Sequence, residues 1–217
     1  MRSVRRTDQA IVWPLGGLFA FSGGAPYAVA SIKTAPVQIY SETRAGGAMF
    51  RDPHRYAPHN LYANAARMFN YKGTPTPPRA IFTYRAPSDT TGGTKVHKVY
   101  VGFRGGYATS FYWNTAKQSW DRVIFAKPDI TGTGVQVSPK NVIVMWITYQ
   151  GGVGAFGAEG ILVGTGRAEV FTNGHMIKGT WSRSSKKTPI VYKDAGGAVI
   201  KMTPGQTWVE LCATGDP

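Results

Sequence analysis

The sequence has few acidic residues, a single cysteine and no long apolar run. Asp and Glu number 11 among 217 residues, against 25 Lys and Arg, so the formal net charge is +14. Cys212 stands alone, which excludes an internal disulfide, and its apolar neighbours predict a buried structural thiol. No run of 18 apolar residues occurs, which argues against a transmembrane helix. The shortage of carboxylates favours acidic partners.

Glycine and proline are abundant, with 27 and 14 residues respectively, and this composition predicts frequent turns and few long helices. We therefore expect an α+β, β-rich fold. Short helices and a small sheet make up its N-terminal part, and a mostly antiparallel β meander makes up its C-terminal part. Prolines at 75, 77 and 78 indicate a break, so we predict an N-terminal domain over 1–72, a Pro-rich linker over 73–80 and a C-terminal domain over 81–217.

Two local patterns give specific predictions. Asn60 precedes a helix-period run, so we expect it to cap a helix over 61–69. Asn173-Gly174 is a strong hairpin signal, because a type I′ turn requires positive φ at both central positions.

The positive charge is concentrated in the first half of the chain. Residues 1–108 carry 14 basic and 4 acidic groups, and the remainder carries 11 and 7. Several of these groups, with polar neighbours, fall near the ends of predicted elements: Arg2, Ser3, Arg5, Asp8, Arg51, Arg55, His59, Asn60 and Tyr62. Convergent arginines would bind a carboxylate or phosphate, whereas salt bridges such as Arg5 with Asp8 would use the same residues structurally.

The signals for catalysis and for cofactors are weak. Candidate nucleophiles and acid–base groups are Ser3, Ser22, His59, Asp8 and Asp121. A serine nucleophile needs a neighbouring base, and the sequence alone does not show one. Ser22 resembles a nucleophile elbow but has an alanine where the first glycine belongs, so a turn serine fits equally well.

Two further patterns do not predict cofactor binding. The Gly152–Gly157 segment matches a dinucleotide fingerprint, but the glycines after it disfavour the helix that this motif requires. The Asp52, His54 and His59 spacing fits no zinc signature. We expect no metal and no cofactor.

Several motifs together resemble the YerB-like family of bacterial lipoproteins. In the first half they are RSVR at 2–5, TD at 7–8 and APHNLY at 57–62. In the second half they are NVIV at 141–144, GTGRA at 164–168, GTW at 179–181 and PGQTW at 204–208. They span nearly the entire chain in the order that the family has them.

The resemblance implies an extracytoplasmic, cell-envelope location and domains of unknown function. In the family, the 2–8 motif follows a segment that carries the lipid-anchor signal. We therefore expect this chain to lack that signal and first segment, and Met1–Ala30 to be folded domain.

We expect a non-catalytic binding or interaction module whose basic first half binds an anionic ligand, an envelope polymer or a protein partner. One alternative is a hydrolase or transferase acting on an envelope polymer. Another is a nucleic-acid-associated module, whose affinity would fall steeply with salt.

Overall fold

A computed structural model describes residues 2–70, 76–103, 105–151 and 158–215. The chain divides into two compact units. Unit 1 consists of Met1–Ile81 with Ser185–Pro189, and unit 2 consists of Phe82–Ser184 with Ile190–Pro217. Residues 73–75 of the predicted linker over 73–80 lie outside the described residues. Residues 76–80 belong to unit 1.

Unit 1 is built from short helices and two small sheets. In chain order its described α-helices and β-strands are α1 (Arg6–Leu15), β1 (Leu18–Phe21), α2 (Pro26–Ile32), β2 (Gln38–Ser41), β3 (Met49–Arg51), β4 (Leu61–Ala63) and α3 (Ala65–Asn70), and a short 3-10 helix, Glu42–Arg44, follows β2. Strands β1 and β2 pair in parallel, and β3 and β4 pair antiparallel. Two separate clusters are buried, one centred on Ile32 and Phe21 and the other on Tyr40 and Leu61.

The helix predicted over 61–69 is wrong in its first part. Leu61 fits a helical period, but its strand β4 pairs with β3, with Arg51 opposite Leu61, and the side chain is buried there. Helix α3 begins after Asn64, whose Oδ1 accepts the Arg67 N–H at 3.0 Å. Asn60 therefore does not cap a helix, because strand pairing takes the residues that follow it.

Unit 2 consists of β-strands in its described part. They are β5 (Thr94–Lys95), β6 (Lys98–Gly102), β7 (Ala108–Asn114), β8 (Ser119–Ile124), β9 (Lys127–Pro128), β10 (Asn141–Ile147), β11 (Tyr149–Gln150), β12 (Glu159–Gly160), β13 (Gly164–Thr172), β14 (His175–Arg183), β15 (Val191–Asp194) and β16 (Thr207–Ala213). One sheet has the order β6-β7-β8-β9, and the larger has the order β15-β14-β13-β10-β16 with β5 also paired to β14. The β-rich α+β class is thus confirmed.

The two sheets of unit 2 enclose one apolar core. Val101, Phe111 and Trp120 pack from the smaller sheet against residues of β10 such as Val144. Cys212 lies fully buried in the same cluster, so the predicted buried thiol is confirmed. All seven residues of β10 are buried, as expected for a central strand covered on both faces.

The larger sheet tests two of the predictions made for the C-terminal part. The predicted Asn173-Gly174 hairpin is confirmed: φ is 50° and 72° at these residues, and Thr172 pairs with His175 on either side. A simple meander does not describe the sheet, however, because β16 runs parallel to β10. Alternating polarity predicts strands, but it carries no information on which strand a distant segment joins.

Candidate functional site

The predicted site residues at the start of the chain surround the N-terminus of α1. Arg5 is the N-cap residue, and its N–H donates to the Asp8 carboxylate at 2.8 Å. Burial raises the pKa of Asp8, and the hydrogen bond and charge of Arg5 oppose this shift only in part. The carbonyl of Arg2 accepts the Ser22 N–H at 2.9 Å, and Ser3 is exposed. Asp8 thus serves as a helix cap.

A second group of predicted residues lies on the β3–β4 hairpin. Arg51 donates from Nε and Nη2 to the two Glu42 carboxylate oxygens, each at 2.9 Å, and from Nη1 to Asn60 Oδ1 at 2.8 Å. A guanidinium that forms a bidentate ion pair has little charge left for a ligand. Arg51 and Asn60 therefore have the structural role that the sequence analysis gave as the alternative to ligand binding.

The remaining hairpin residues form an exposed aromatic and basic surface. Tyr62 stacks on Phe50 with ring centroids 6.1 Å apart, and the Arg55 guanidinium lies 5.9 Å from the Tyr62 ring. Arg55 also pairs with Asp52 at 3.6 Å. His59 is exposed, and its N–H donates to the Tyr56 carbonyl at 3.1 Å.

The structure does not bring the two predicted groups into contact. Within the described residues, no hydrogen bond, ion pair or ring contact joins Arg2, Ser3, Arg5 or Asp8 to Arg51, His59, Asn60 or Tyr62. Each group is held by its own local partners.

The candidate catalytic residues are also apart. No hydrogen bond in the described part of the chain links Ser3 or Ser22 to an imidazole or a carboxylate. Asp121 lies on β8 of unit 2, where it accepts from Ser138 Oγ at 2.6 Å, Asn114 Nδ2 at 2.8 Å and Lys117 Nζ at 3.0 Å. Burial alone would raise the pKa of Asp121, but these hydrogen bonds and the charge of Lys117 outweigh it and lower the pKa.

The metal motif does not assemble within the described residues either. The described ranges contain no group of three His, Cys, Asp or Glu residues with metal-ligand geometry. The Gly152–Gly157 motif lies outside the described residues.

Sequence reasoning missed a cluster of cations and aromatic rings around α1, to which α2 contributes Tyr27 and the 185–189 segment contributes two lysines. The Arg6 guanidinium lies 4.8 Å from the Tyr27 ring centroid, and the Lys186 and Lys187 ammonium groups lie 5.1 and 5.6 Å from the Trp13 ring. Arg6 and Trp13 are seven residues apart, so they share one side of the helix. We call Arg6, Trp13, Tyr27, Lys186 and Lys187 the α1 cationic face.

Gln9 fixes one of these lysines in place. It is 7% exposed, and its Nε2 donates to the Ser31 carbonyl at 2.6 Å and to Thr34 Oγ1 at 2.5 Å. Its Oε1 accepts Lys186 Nζ at 2.9 Å. A side chain held at its amide nitrogen presents its oxygen in a fixed position, so Lys186 is positioned beside Trp13. Lys186 is 177 residues from Gln9 in sequence, so no local pattern could have revealed the contact.

Unit 1 holds most of the net charge. It contains twelve Lys and Arg residues and three carboxylates, a net charge of +9, whereas unit 2 has thirteen and eight, a net charge of +5. Each of its three carboxylates already has a partner: Asp8 at the α1 cap, Glu42 on Arg51 and Asp52 on Arg55. The surplus of positive charge is therefore not neutralised within the unit.

Fold and surface together define a β-rich, two-unit protein with a basic N-terminal unit and no assembled catalytic centre among its described residues. The chain belongs to the family described as "Protein of unknown function (DUF3048)", because the N-terminal domain of that family matches residues 1–75 and its C-terminal domain matches residues 99–209. The predicted YerB-like relationship is thereby confirmed.

A solved structure has the same fold. The YerB protein of Bacillus subtilis superposes with a TM-score of 0.73 at 18% identity, covering 97% of this chain and 72% of that one. No protein with a curated description matches the chain. None of the described helices has the length and apolar character needed to cross a bilayer.

Proposed function

We propose that this protein is a non-catalytic binding protein whose unit 1 holds an anionic polymer of the cell envelope on the α1 cationic face. The observation that carries the proposal is the stacking of three cations on two aromatic rings along one side of α1. The proposal extends to an extracytoplasmic location, in keeping with the resemblance to envelope lipoproteins.

The charges of unit 1 favour a polymer over a single small anion. A net charge of +9 acts over the whole unit, and a chain of phosphate or carboxylate groups can interact with many cations at once. The Trp13 and Tyr27 rings hold Lys186, Lys187 and Arg6 at the surface. Cations that already lie on rings lose less side-chain entropy when they bind.

The first test is binding of full-length protein to poly(glycerol phosphate), followed over a series of salt concentrations. The double variant K186Q/K187Q should bind about thirtyfold more weakly, since each surface cation contributes about 1 kcal/mol. The slope of the logarithm of its affinity against the logarithm of the salt concentration should also be smaller in magnitude by about 2. Each lost cation removes one released counterion.

The matched control is K127Q/K193Q, which removes two exposed lysines of unit 2. It should bind like the parent. Equal losses in the two double variants would contradict a specific face on α1, and tighter binding to double-stranded DNA than to poly(glycerol phosphate) would overturn the envelope assignment. Protease treatment of intact cells tests the location: cleavage of the protein without lysis is expected, and full protection would refute it.

A further inference from the structure

A groove in unit 2 opens where the long strand β14 lacks an edge partner. Along its outer edge, β5 pairs with His175 and Met176, and β15 pairs with Gly179–Ser182. Ile177 and Lys178 lie between these two partners. A groove of about 790 Å³ lies here, and its lining includes Arg85, Thr91, Ile177, Lys178 and Val199. This volume lies within the range of sites for small ligands.

The main chain of Lys178 faces this gap. The Val96 N–H donates to the Gly174 carbonyl at 2.9 Å, so the even-numbered residues of β14 direct their polar groups toward the outer edge. Lys178 follows this parity. Gly179 and Asp194 form the last pair of β14 with β15 and are a non-hydrogen-bonded pair, so the Lys178 C=O faces the N–H of residue 195. Among the described residues no strand pairs with Lys178 on its N–H side, and this N–H is a donor that the carbonyl of an extended peptide matches.

Arg85 lines the same groove and is held at both ends. Its N–H donates to the Met202 carbonyl at 2.9 Å, and its guanidinium donates from Nη1 to Thr91 Oγ1 at 2.5 Å and from Nη2 to Thr203 Oγ1 at 2.6 Å. These partners are neutral hydroxyls. Within the described residues, no carboxylate forms an ion pair with Arg85, and burial lowers its pKa.

A buried hydrogen-bond network fixes the Thr203 hydroxyl, which is one of the two that hold Arg85. Asn141 is fully buried, and its Oδ1 accepts from Thr172 Oγ1 at 2.8 Å and from the Thr203 N–H at 2.9 Å. Since the Thr172 hydroxyl donates to Asn141, the 2.7 Å contact between Thr203 Oγ1 and Thr172 Oγ1 is donated by Thr203. Thr203 can then only accept from Arg85, so the guanidinium position is set by the core.

The carboxylates that line the groove are already engaged. Asp89 accepts Lys201 Nζ at 2.9 Å and the Ala86 N–H at 3.1 Å, and Asp194 Oδ1 accepts the N–H groups of Gly196 and Ala198 at 3.0 and 2.9 Å. Asp89 acts on Arg85 only through its charge at longer range. The groove therefore presents a fixed guanidinium that none of its own carboxylates contacts.

We propose that this groove binds the C-terminal carboxylate of an extended peptide. Arg85 holds the carboxylate through N–H donors that its threonine partners leave available, and the Lys178 N–H donates to a peptide carbonyl. Met176, Ile177 and Val199 supply an apolar wall for the peptide side chains. The site lies in unit 2 and uses none of the residues of the α1 cationic face, so it stands independently of the proposed function.

The test uses full-length ¹⁵N-labelled protein and a pool of acetylated random tripeptides with free C-terminal carboxylates. Saturable shifts of the Lys178 and Thr91 amide signals are expected. The same pool with C-terminal amides should bind at least about tenfold more weakly, a difference of about 1.4 kcal/mol. Arg85→Gln should weaken binding of the acid pool by a similar factor and leave binding of the amidated pool unchanged.

A matched pair of glycine variants guards against misfolding. A Cβ atom added at Gly92, in the groove lining, or at Gly132, outside it, meets no atom within 4 Å. Gly92→Asp should abolish binding by repelling the carboxylate, whereas Gly132→Asp adds the same charge and should bind like the parent. Both should melt like the parent.

Three results with the peptide pools would overturn the proposal. They are equal binding of the acid and amidated pools, equal loss in Gly92→Asp and Gly132→Asp, and absence of shifts at Lys178 with millimolar acid pool. Competition by acetate as effective as that by the peptides would also overturn it, because it would define a small-anion site with no role for the Lys178 main chain.

Discussion

The two units differ in their arginines: unit 1 buries none of them, whereas unit 2 buries some and leaves Arg167 exposed. All eight arginines of unit 1 are exposed. In unit 2, Arg122 and Arg183 are 7% and 4% exposed, and Arg85 is half-buried. Arg122 forms an ion pair with Asp129, lies 3.7 Å from Glu210 and stacks 4.2 Å from the Trp208 ring centroid.

This difference separates charge that holds a fold together from charge that faces solvent. A buried guanidinium needs carboxylates, hydroxyls or rings around it, and unit 2 provides all three. Unit 1 has two small apolar clusters and buries none of its arginines. Exposed cations contribute little to the stability of a fold, so the cations of unit 1 outside its local ion pairs affect stability less than the buried arginines of unit 2 do.

Removal of one arginine from each unit should give the largest contrast. Arg122→Leu leaves Asp129 and Glu210 without their cation in a largely buried site, so the free energy of unfolding should fall by about 3 kcal/mol. Arg67→Leu, at an exposed position of α3, should change it by about 0.5 kcal/mol or less. Urea denaturation followed by circular dichroism measures both. Equal effects would remove the distinction between the units.

Loss of one threonine hydroxyl should give an intermediate contrast. Thr172→Val keeps the shape but removes a donor to Asn141 in a fully buried network, which should cost about 1–3 kcal/mol. Thr43→Val removes an exposed hydroxyl that lies 3.2 Å from Ser41 Oγ, and should cost about 0.5 kcal/mol or less. Thermal melting of the two variants provides the measurement. A Thr172→Val protein that melts with the parent would mean that the network does not stabilise unit 2.

The smallest contrast lies in the response to pH of two aspartates. Asp121 in unit 2 has a lowered pKa, so its stabilisation is present above the ordinary value of 3.8 and is lost as the pH falls through the folded-state pKa. Asp8 in unit 1 has a raised pKa, so its contribution is full below 3.8 and is lost as the pH rises through the folded-state pKa.

The destabilisation caused by Asp121→Asn should therefore shrink on acidification. For Asp8→Asn the opposite is expected: on acidification the stability of the parent should increase relative to that of the variant. Urea denaturation of the parent and both variants at pH values around 3.8 gives the difference in stability between each variant and the parent as a function of pH. If both differences changed in the same direction with pH, the two carboxyls would have similar environments.

Local sequence patterns predicted correctly the elements whose structure depends on neighbouring residues. Alternation of polar and apolar residues marked most strands of unit 2, and Asn173-Gly174 marked its hairpin because only that backbone geometry closes the turn. The same reasoning predicted the wrong element for residues 61–63, because their strand pairing with 49–51 overrides a helical period.

The candidate site was predicted only in part, for a related reason. Arg5 and Asp8 do lie at one helix end, but Arg51 and Asn60 are held by Glu42 and by each other in a hairpin. The partners of Trp13 come from residues 186 and 187, and Arg85 depends on Thr203, 118 residues away. Contacts at such separations follow from tertiary structure, and a single sequence gives no sign of them.

The assignment of Ser185–Pro189 to unit 1 has a consequence for the order of synthesis. Residues up to 81 leave the ribosome first, yet Lys186 and Lys187 are made more than a hundred residues later. At a rate of about 5–20 residues per second, this interval lasts roughly 5–20 s. For that time Trp13 and the side-chain oxygen of Gln9 have no lysine to contact, so the α1 cationic face is completed only after residues 186 and 187 are made.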